Sequence, residues 1–128
     1  FYNFIEKYNP VLIPIPLSSK RLLERGYNHA EIIANYVAQY FNLSVQDDIL
    51  IRIKNTKPQY KLNKKERIKN IAGAFNIRES AHRQTKMPKS VIIVDDITTS
   101  FATLKEAAKV LKRHGAEKVL GVTFAKEL

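Results

Sequence analysis

Four consecutive apolar residues, Val91-Ile92-Ile93-Val94, run straight into Asp95-Asp96 and then into a hydroxyl-rich stretch that includes Thr98, Thr99, Ser100 and Thr103. An apolar run without alternation, made of β-branched residues, reads as a strand buried on both faces inside a parallel sheet. The two carboxylates stand where that strand is expected to end. Beyond them Leu104, Ala107, Ala108 and Leu111 recur at helical spacing and mark one buried face. Strand, short loop and helix together present free backbone N–H groups and the positive end of a helix dipole to an anion. The hydroxyls add donors for a phosphate, and the acids can accept hydrogen bonds from sugar hydroxyls. The stretch therefore reads as a site for a phosphorylated sugar. Thr103 with Glu106 also reads as a capping box, which does not compete with that role.

The order Val94-Asp95-Asp96-Ile97-x-Thr99-Ser100-x-Ala102-Thr103 resembles the 5-phosphoribosyl-1-pyrophosphate (PRPP) motif of type I phosphoribosyltransferases. The resemblance implies that Asp95 and Asp96 hold the ribose hydroxyls. It implies that Ile97, Thr98, Thr99, Ser100, Phe101, Ala102 and Thr103 hold the 5-phosphate. It also brings Mg²⁺ as the cation accompanying PRPP, held through substrate oxygens with Asp95 and Asp96 as further ligands. One position departs from the family: Phe101 stands where the pattern has Gly, a residue that permits close backbone approach or positive φ. A receiver domain is the alternative, since there too a buried strand ends in paired acids. Those acids open a roughly five-stranded unit, whereas here little chain follows Asp96.

The chain carries 22 Lys and Arg against 12 Asp and Glu, a formal charge of +10. That balance implies an anionic partner: phosphate, pyrophosphate or nucleic acid. The charge is concentrated, because Arg52, Lys54, Lys57, Lys61, Lys64, Lys65, Arg67 and Lys69 face only Glu66 among the acids of that segment. There is no cysteine, which excludes disulfides and thiolate metal sites and fits a reducing cytoplasm. His29, His82 and His114 are far apart, with no metal-ligand spacing, and read as surface or capping residues. No apolar run reaches the roughly 20 residues of a membrane span. The 128 residues suit one domain, and a start at Phe1 rather than Met leads us to expect residues upstream.

Phe1, Phe4, Ile5 and Tyr8 form one face of a short helix stopped at Asn9-Pro10. Val11 to Leu17 reads as a strand curtailed by Pro14 and Pro16, followed by a polar turn. In type I phosphoribosyltransferases this strand end carries the pyrophosphate loop, so the resemblance makes Ser18, Ser19, Lys20 and Arg21 the contacts of the leaving group. The run Arg25-Gly26-Tyr27-Asn28-His29-Ala30, preceded by Lys20 and Arg21, resembles the signature of the ComF family of competence-associated phosphoribosyltransferase-like proteins. Asn28 with Glu31 makes an N-cap pair for a helix reaching about Tyr40. Ile49-Leu50-Ile51 reads as a second strand. Thr56-x2-Gln59 and Leu62-x4-Arg67-x2-Asn70-x2-Gly73-Ala74-Phe75 again resemble ComF proteins. In the wider fold this region is the flexible hood over PRPP and its acceptor, which would place Arg25, Lys57, Tyr60, Lys64, Lys65, Arg67 and Lys69 against ligand or nucleic acid. A solvated basic helix from Asn63 to Asn70 is the plainer reading of the same residues. Phe75-Asn76-Ile77 reads as an edge strand, Arg78 to Lys89 as a mobile connection, and Lys118 to Phe124 as a last strand after a helix closed by Gly115.

Alternating strands and helices predict an α/β fold, type I phosphoribosyltransferase-like, with a mostly parallel, right-handed sheet flanked by helices. The ComF resemblance implies a part in natural transformation, with PRPP, single-stranded DNA and other competence proteins as partners. Two functions follow: a phosphoribosyltransferase acting on an unassigned acceptor, or a PRPP-responsive DNA-handling protein without turnover. A housekeeping phosphoribosyltransferase of nucleotide or cofactor metabolism is the alternative.

Overall fold

The computed structural model describes residues 1–57, 59–80, 86–98 and 101–126. The Val91–Val94 run is the middle of strand β4 (Ser90–Thr98), which lies between β1 (Val11–Pro14) and β5 (Lys118–Lys126), parallel to both. Strand β4 therefore has neighbours on both edges, and Val91, Ile92, Ile93 and Val94 are all fully buried. Period-2 alternation sorts them. Val91 and Ile93 join Ile13, Ile15, Ala107 and Leu111 on one face, while Ile92 and Val94 join Leu12, Ala34 and Val37 on the other. The second face is covered by α1 (Tyr2–Tyr8) and α3 (His29–Phe41), the first by α5 (Ala102–Arg113). Helix α5 crosses over between β4 and β5, and its Leu104 lies 3.3 Å from where a Cβ on Gly121 would stand, so the glycine lets helix and strand approach closely.

Two expectations change. Strand β4 does not end at the acids: Asp95, Ile97 and Thr98 are still paired with Thr123, Ala125 and Lys126 of β5, because β5 continues alongside and offers them partners. Ile49–Ile51 and Phe75–Ile77 do not join the main sheet either. Strands β2 (Leu50–Arg52) and β3 (Phe75–Ile77) pair with each other, antiparallel, as a separate two-stranded sheet. The reason lies at β1, whose outer edge is already taken. Leu12 donates its N–H to the Ser44 carbonyl and accepts from Gln46 N–H, each at 2.9 Å. The pair instead tucks Leu50, Phe75 and Ile77 under α5 with Ile71 of α4 (Lys64–Ile71).

Candidate functional site

Alternation continues past Val94. It turns Asp95 to the face of Ile93, toward the β2–β3 unit, and Asp96 to the face of Val94, toward α3. Each acid meets a different base there. Asp95 is 9 % exposed, lies within Coulombic reach of Arg52 in β2, and its Oδ1 accepts from the Asp96 N–H at 2.9 Å. Burial pushes its carboxyl up to about 7, and the neighbouring Asp96 charge adds to that, against the opposing pull of the backbone N–H and Arg52. The Asp96 Oδ2 sits 3.6 Å from His29 Nδ1, and its carbonyl accepts from Thr123 Oγ1 at 3.2 Å. The ring of His29 is set edge-on to Tyr27, centroids 4.7 Å apart.

Thr99 and Ser100, at the heart of the expected phosphate loop, lie outside the described residues. Ile97 and Thr98 are strand residues rather than loop. Phe101 stands at the N-cap of α5 with φ −82° and gives no side-chain cap. Its backbone thus needs no glycine for a positive φ, and its ring is 45 % exposed. Ala102 and Thr103 open the helix, with Thr103 buried. The expected capping box does not form. Thr103 is inside the helix, and the Glu106 carboxylate accepts from Gly73 N–H at 3.1 Å and pairs with Lys109 at 3.8 Å. The end of the β2–β3 unit is thereby tied to α5.

At the end of β1 the expected polar turn is a helix. Ser18 is the buried N-cap of α2 (Ser19–Arg25), its Oγ accepting from Arg21 N–H at 3.3 Å. A serine followed by a run of good helix formers explains it. Lys20 and Arg25 are exposed. Arg21 reaches across to the other unit, donating from Nη2 to the Thr56 carbonyl at 3.2 Å. Asn28 caps α3 through Ala30 N–H at 3.1 Å and also donates to the Ile15 carbonyl at 3.0 Å. Its expected partner Glu31 does not complete a box; it hydrogen-bonds Asp47, and burial and that neighbour raise its pKa.

The hood-like segment has its own frame. Asn70 accepts from Lys57 N–H at 3.1 Å and donates to the Lys57 carbonyl at 2.8 Å and Gln59 Oε1 at 2.7 Å. Arg67 donates from Nε to the Gln59 carbonyl at 2.9 Å, and Gln59 Nε2 returns a bond to the Arg67 carbonyl at 3.4 Å. Thus Gln59, Arg67 and Asn70 of the ComF-like pattern clasp the 3₁₀ turn Gln59–Lys61 to α4. Asn63 and Glu66 form the capping box that starts α4. Lys57, Lys64, Lys65 and Lys69 are exposed; the side chain of Tyr60 lies outside the described residues.

Sequence reasoning gave His29 only as a surface or capping residue and Arg52 only as one of the cations of the basic segment, and paired neither with an acid. The N-cap at Asn28 was a usable signal for His29, since it fixes the helix start beside the β4 end. For Arg52 no local signal existed, because only the tertiary packing of β2 brings it to Asp95. Among the described residues no helix is long and apolar enough to cross a membrane.

No protein-family model matches the chain, and neither does any solved structure. Curated relatives do. The chain is 32% identical to Competence protein F of Haemophilus influenzae over 114 residues, 88% of this chain and 48% of that one. It is 35% identical to Competence protein ComFC of Bacillus subtilis over 105 residues, 82% and 39% of the two chains. A third relative, DNA utilization protein YhgH of Salmonella typhi, is 27% identical over 111 residues, 84% and 45% respectively. The chain thus spans half or less of the length of these relatives, and what it resembles is a portion of ComF-type competence and DNA utilization proteins.

Proposed function

We propose that this chain is a PRPP-binding, phosphoribosyltransferase-like portion of a ComF-type protein that handles incoming single-stranded DNA in natural transformation. One observation carries the reading: two acids stand in the C-terminal half of the central parallel strand, which leads on toward the N-terminus of α5, where Phe101 gives no side-chain cap. Ligands of open α/β sheets bind at such strand ends, and a helix N-terminus favours a phosphate. The names of the relatives favour competence over a housekeeping role in nucleotide metabolism.

The chemistry follows from positioning and charge. Asp95 and Asp96 hold the ribose hydroxyls, the α5 end holds the 5-phosphate, and the β1–α2 corner with Ser19, Lys20 and Arg21 holds the diphosphate. If turnover occurs, a nucleophile displaces diphosphate from C1 of the ribose through an oxocarbenium-like state, and the protein's part is orientation and charge stabilisation. Among the described residues no group of three acids, histidines or cysteines could hold a metal. Two adjacent carboxyls suit Mg²⁺ carried mainly by substrate oxygens and water, with Asp95 and Asp96 as its protein ligands. When bound it would offset the charge of the departing diphosphate. The exposed Lys57, Lys64, Lys65 and Lys69 are the contacts for single-stranded DNA.

The test is calorimetry with PRPP and Mg²⁺ on wild type and on the Asp95→Ala, Asp96→Ala double variant. At least a 100-fold loss of affinity in a variant that melts like a folded protein is expected. Equal affinity in the two would overturn the assignment. Competition with a single-stranded oligonucleotide then separates DNA contact on the lysines from contact in the sugar-phosphate crevice.

A further inference from the structure

We infer that Arg52 is an anion-binding residue of the crevice beside β1, contacting the diphosphate group of a sugar diphosphate across from α2. This rests on the reading of the site given above and adds to it a residue from outside the motif.

Three observations on the guanidinium converge. Its Nε is buried and has no hydrogen-bond partner among the described residues. A buried donor left without a partner is destabilising, so a partner is wanted there. Its Cζ lies 4.9 Å from the centre of the Phe75 ring, its cross-strand neighbour in the β2–β3 pair. A guanidinium set over an aromatic face is attracted to it, and its N–H fork can still take a bidentate oxyanion. Third, Arg52 lines a cavity of about 260 Å³ together with Ser19, Asn28 and Arg78. Ser19 opens α2, so the cavity abuts the corner assigned to the leaving group.

The charges nearby fit. Arg21 and Asp95 are both within Coulombic reach of Arg52; Arg21 adds a second cation, and Asp95 holds Arg52 near the ribose end. Glu31 and Asp47 line the same cavity, but they hydrogen-bond each other, so neither is the partner that Nε lacks. A phosphate oxygen admitted to the cavity would be that partner, and Ser19 lines the same cavity.

Binding of two probes, inorganic pyrophosphate and ribose 5-phosphate, each with Mg²⁺, is measured by calorimetry on wild type, Arg52→Gln and Arg52→Lys. Arg52→Gln is expected to weaken pyrophosphate tenfold or more and ribose 5-phosphate less than twofold. Arg52→Lys keeps the charge but not the fork and should fall between. Pyrophosphate affinity unchanged in Arg52→Gln, or absent in wild type, overturns the inference. So does an equal loss of both probes, which would make Arg52 only the counter-ion of Asp95. If Arg52→Gln does not fold, Arg52→Lys decides, and undiminished pyrophosphate affinity there is the overturning result. Wild type that takes pyrophosphate but neither ribose 5-phosphate nor PRPP sinks the sugar-phosphate reading while leaving the Arg52 arm intact.

Discussion

The two sheets of this molecule are held by different means. The parallel β1–β4–β5 sheet is apolar through its whole thickness, with Leu12, Ile13 and Val91 to Val94 all without measurable exposure. The β2–β3 unit has three-residue strands, and its outer part is clasped by Gln59, Arg67 and Asn70 through side-chain bonds to backbone. Burial scales with apolar area and is worth roughly 1.5–3 kcal/mol per large side chain, whereas a polar clasp nets only about 1 kcal/mol per bond. The carboxyls therefore sit on the stiffest element, while the lysines sit on one that can yield locally. On the proposed reading, a site built this way would fix the sugar and adapt to what lies over it.

The largest effect expected is on the stiff side. Asp95 is held at about 7 against an ordinary 3.8, so the folded state binds a proton more tightly than the unfolded chain. Stability contributed by that proton is present below about pH 4 and is lost as pH rises through 7. Asp95→Asn should therefore be more stable than wild type at pH 8, by up to about 4 kcal/mol, with the gap closing toward pH 4. Urea denaturation at the two pH values measures it; a gap that does not depend on pH would place the cause elsewhere. On the yielding side Asn70→Ala removes three bonds and should lower local stability by about 1–2 kcal/mol. Hydrogen exchange should rise around Lys57 to Ile71 and stay unchanged in β4. A uniform rise would mean that the two sheets open together.

Smaller effects sharpen the contrast. Replacing Lys64, Lys65 and Lys69 with Gln should cut single-stranded DNA affinity about tenfold at low salt and reduce the log–log salt slope by about 2, near 0.7 per phosphate contact. Ribose 5-phosphate binding should not move. An undiminished slope would shift the DNA contact to another face. The smallest change is expected from Phe101→Gly. The φ of −82° at that position is ordinary, so any gain comes only from space for a phosphate, a few-fold in PRPP affinity by calorimetry. A tenfold gain would show that the ring blocks the site.

How far the sequence foretold this divides along the same line. Strand β4, helix α5 and the closing strand were legible because each is written locally, as an apolar run or a 3.6-residue period. So were the caps at Asn28 and Gly115, which depend on neighbours in the chain. What failed was contextual. The strand's extension through the acids depends on β5 alongside; the separate β2–β3 pair depends on Ser44 and Gln46 occupying the β1 edge. Glu31 and Glu106 both look like box partners in the sequence, and both are drawn off by Asp47 and Gly73 from other elements. Arg67 and Asn70 look like ligand residues until the turn they clasp is seen.

A carboxyl pair borne on the central strand, just past the rung that joins Val94 to Pro14 and with Asp95 paired to Thr123, cannot shift without shearing that ladder. Changes in what the crevice accepts must then come from the residues around it, above all Arg52, Arg21 and the lysine-bearing segment. Drift within Val91 to Val94, by contrast, would be read twice, once in the melting temperature and once in the affinity.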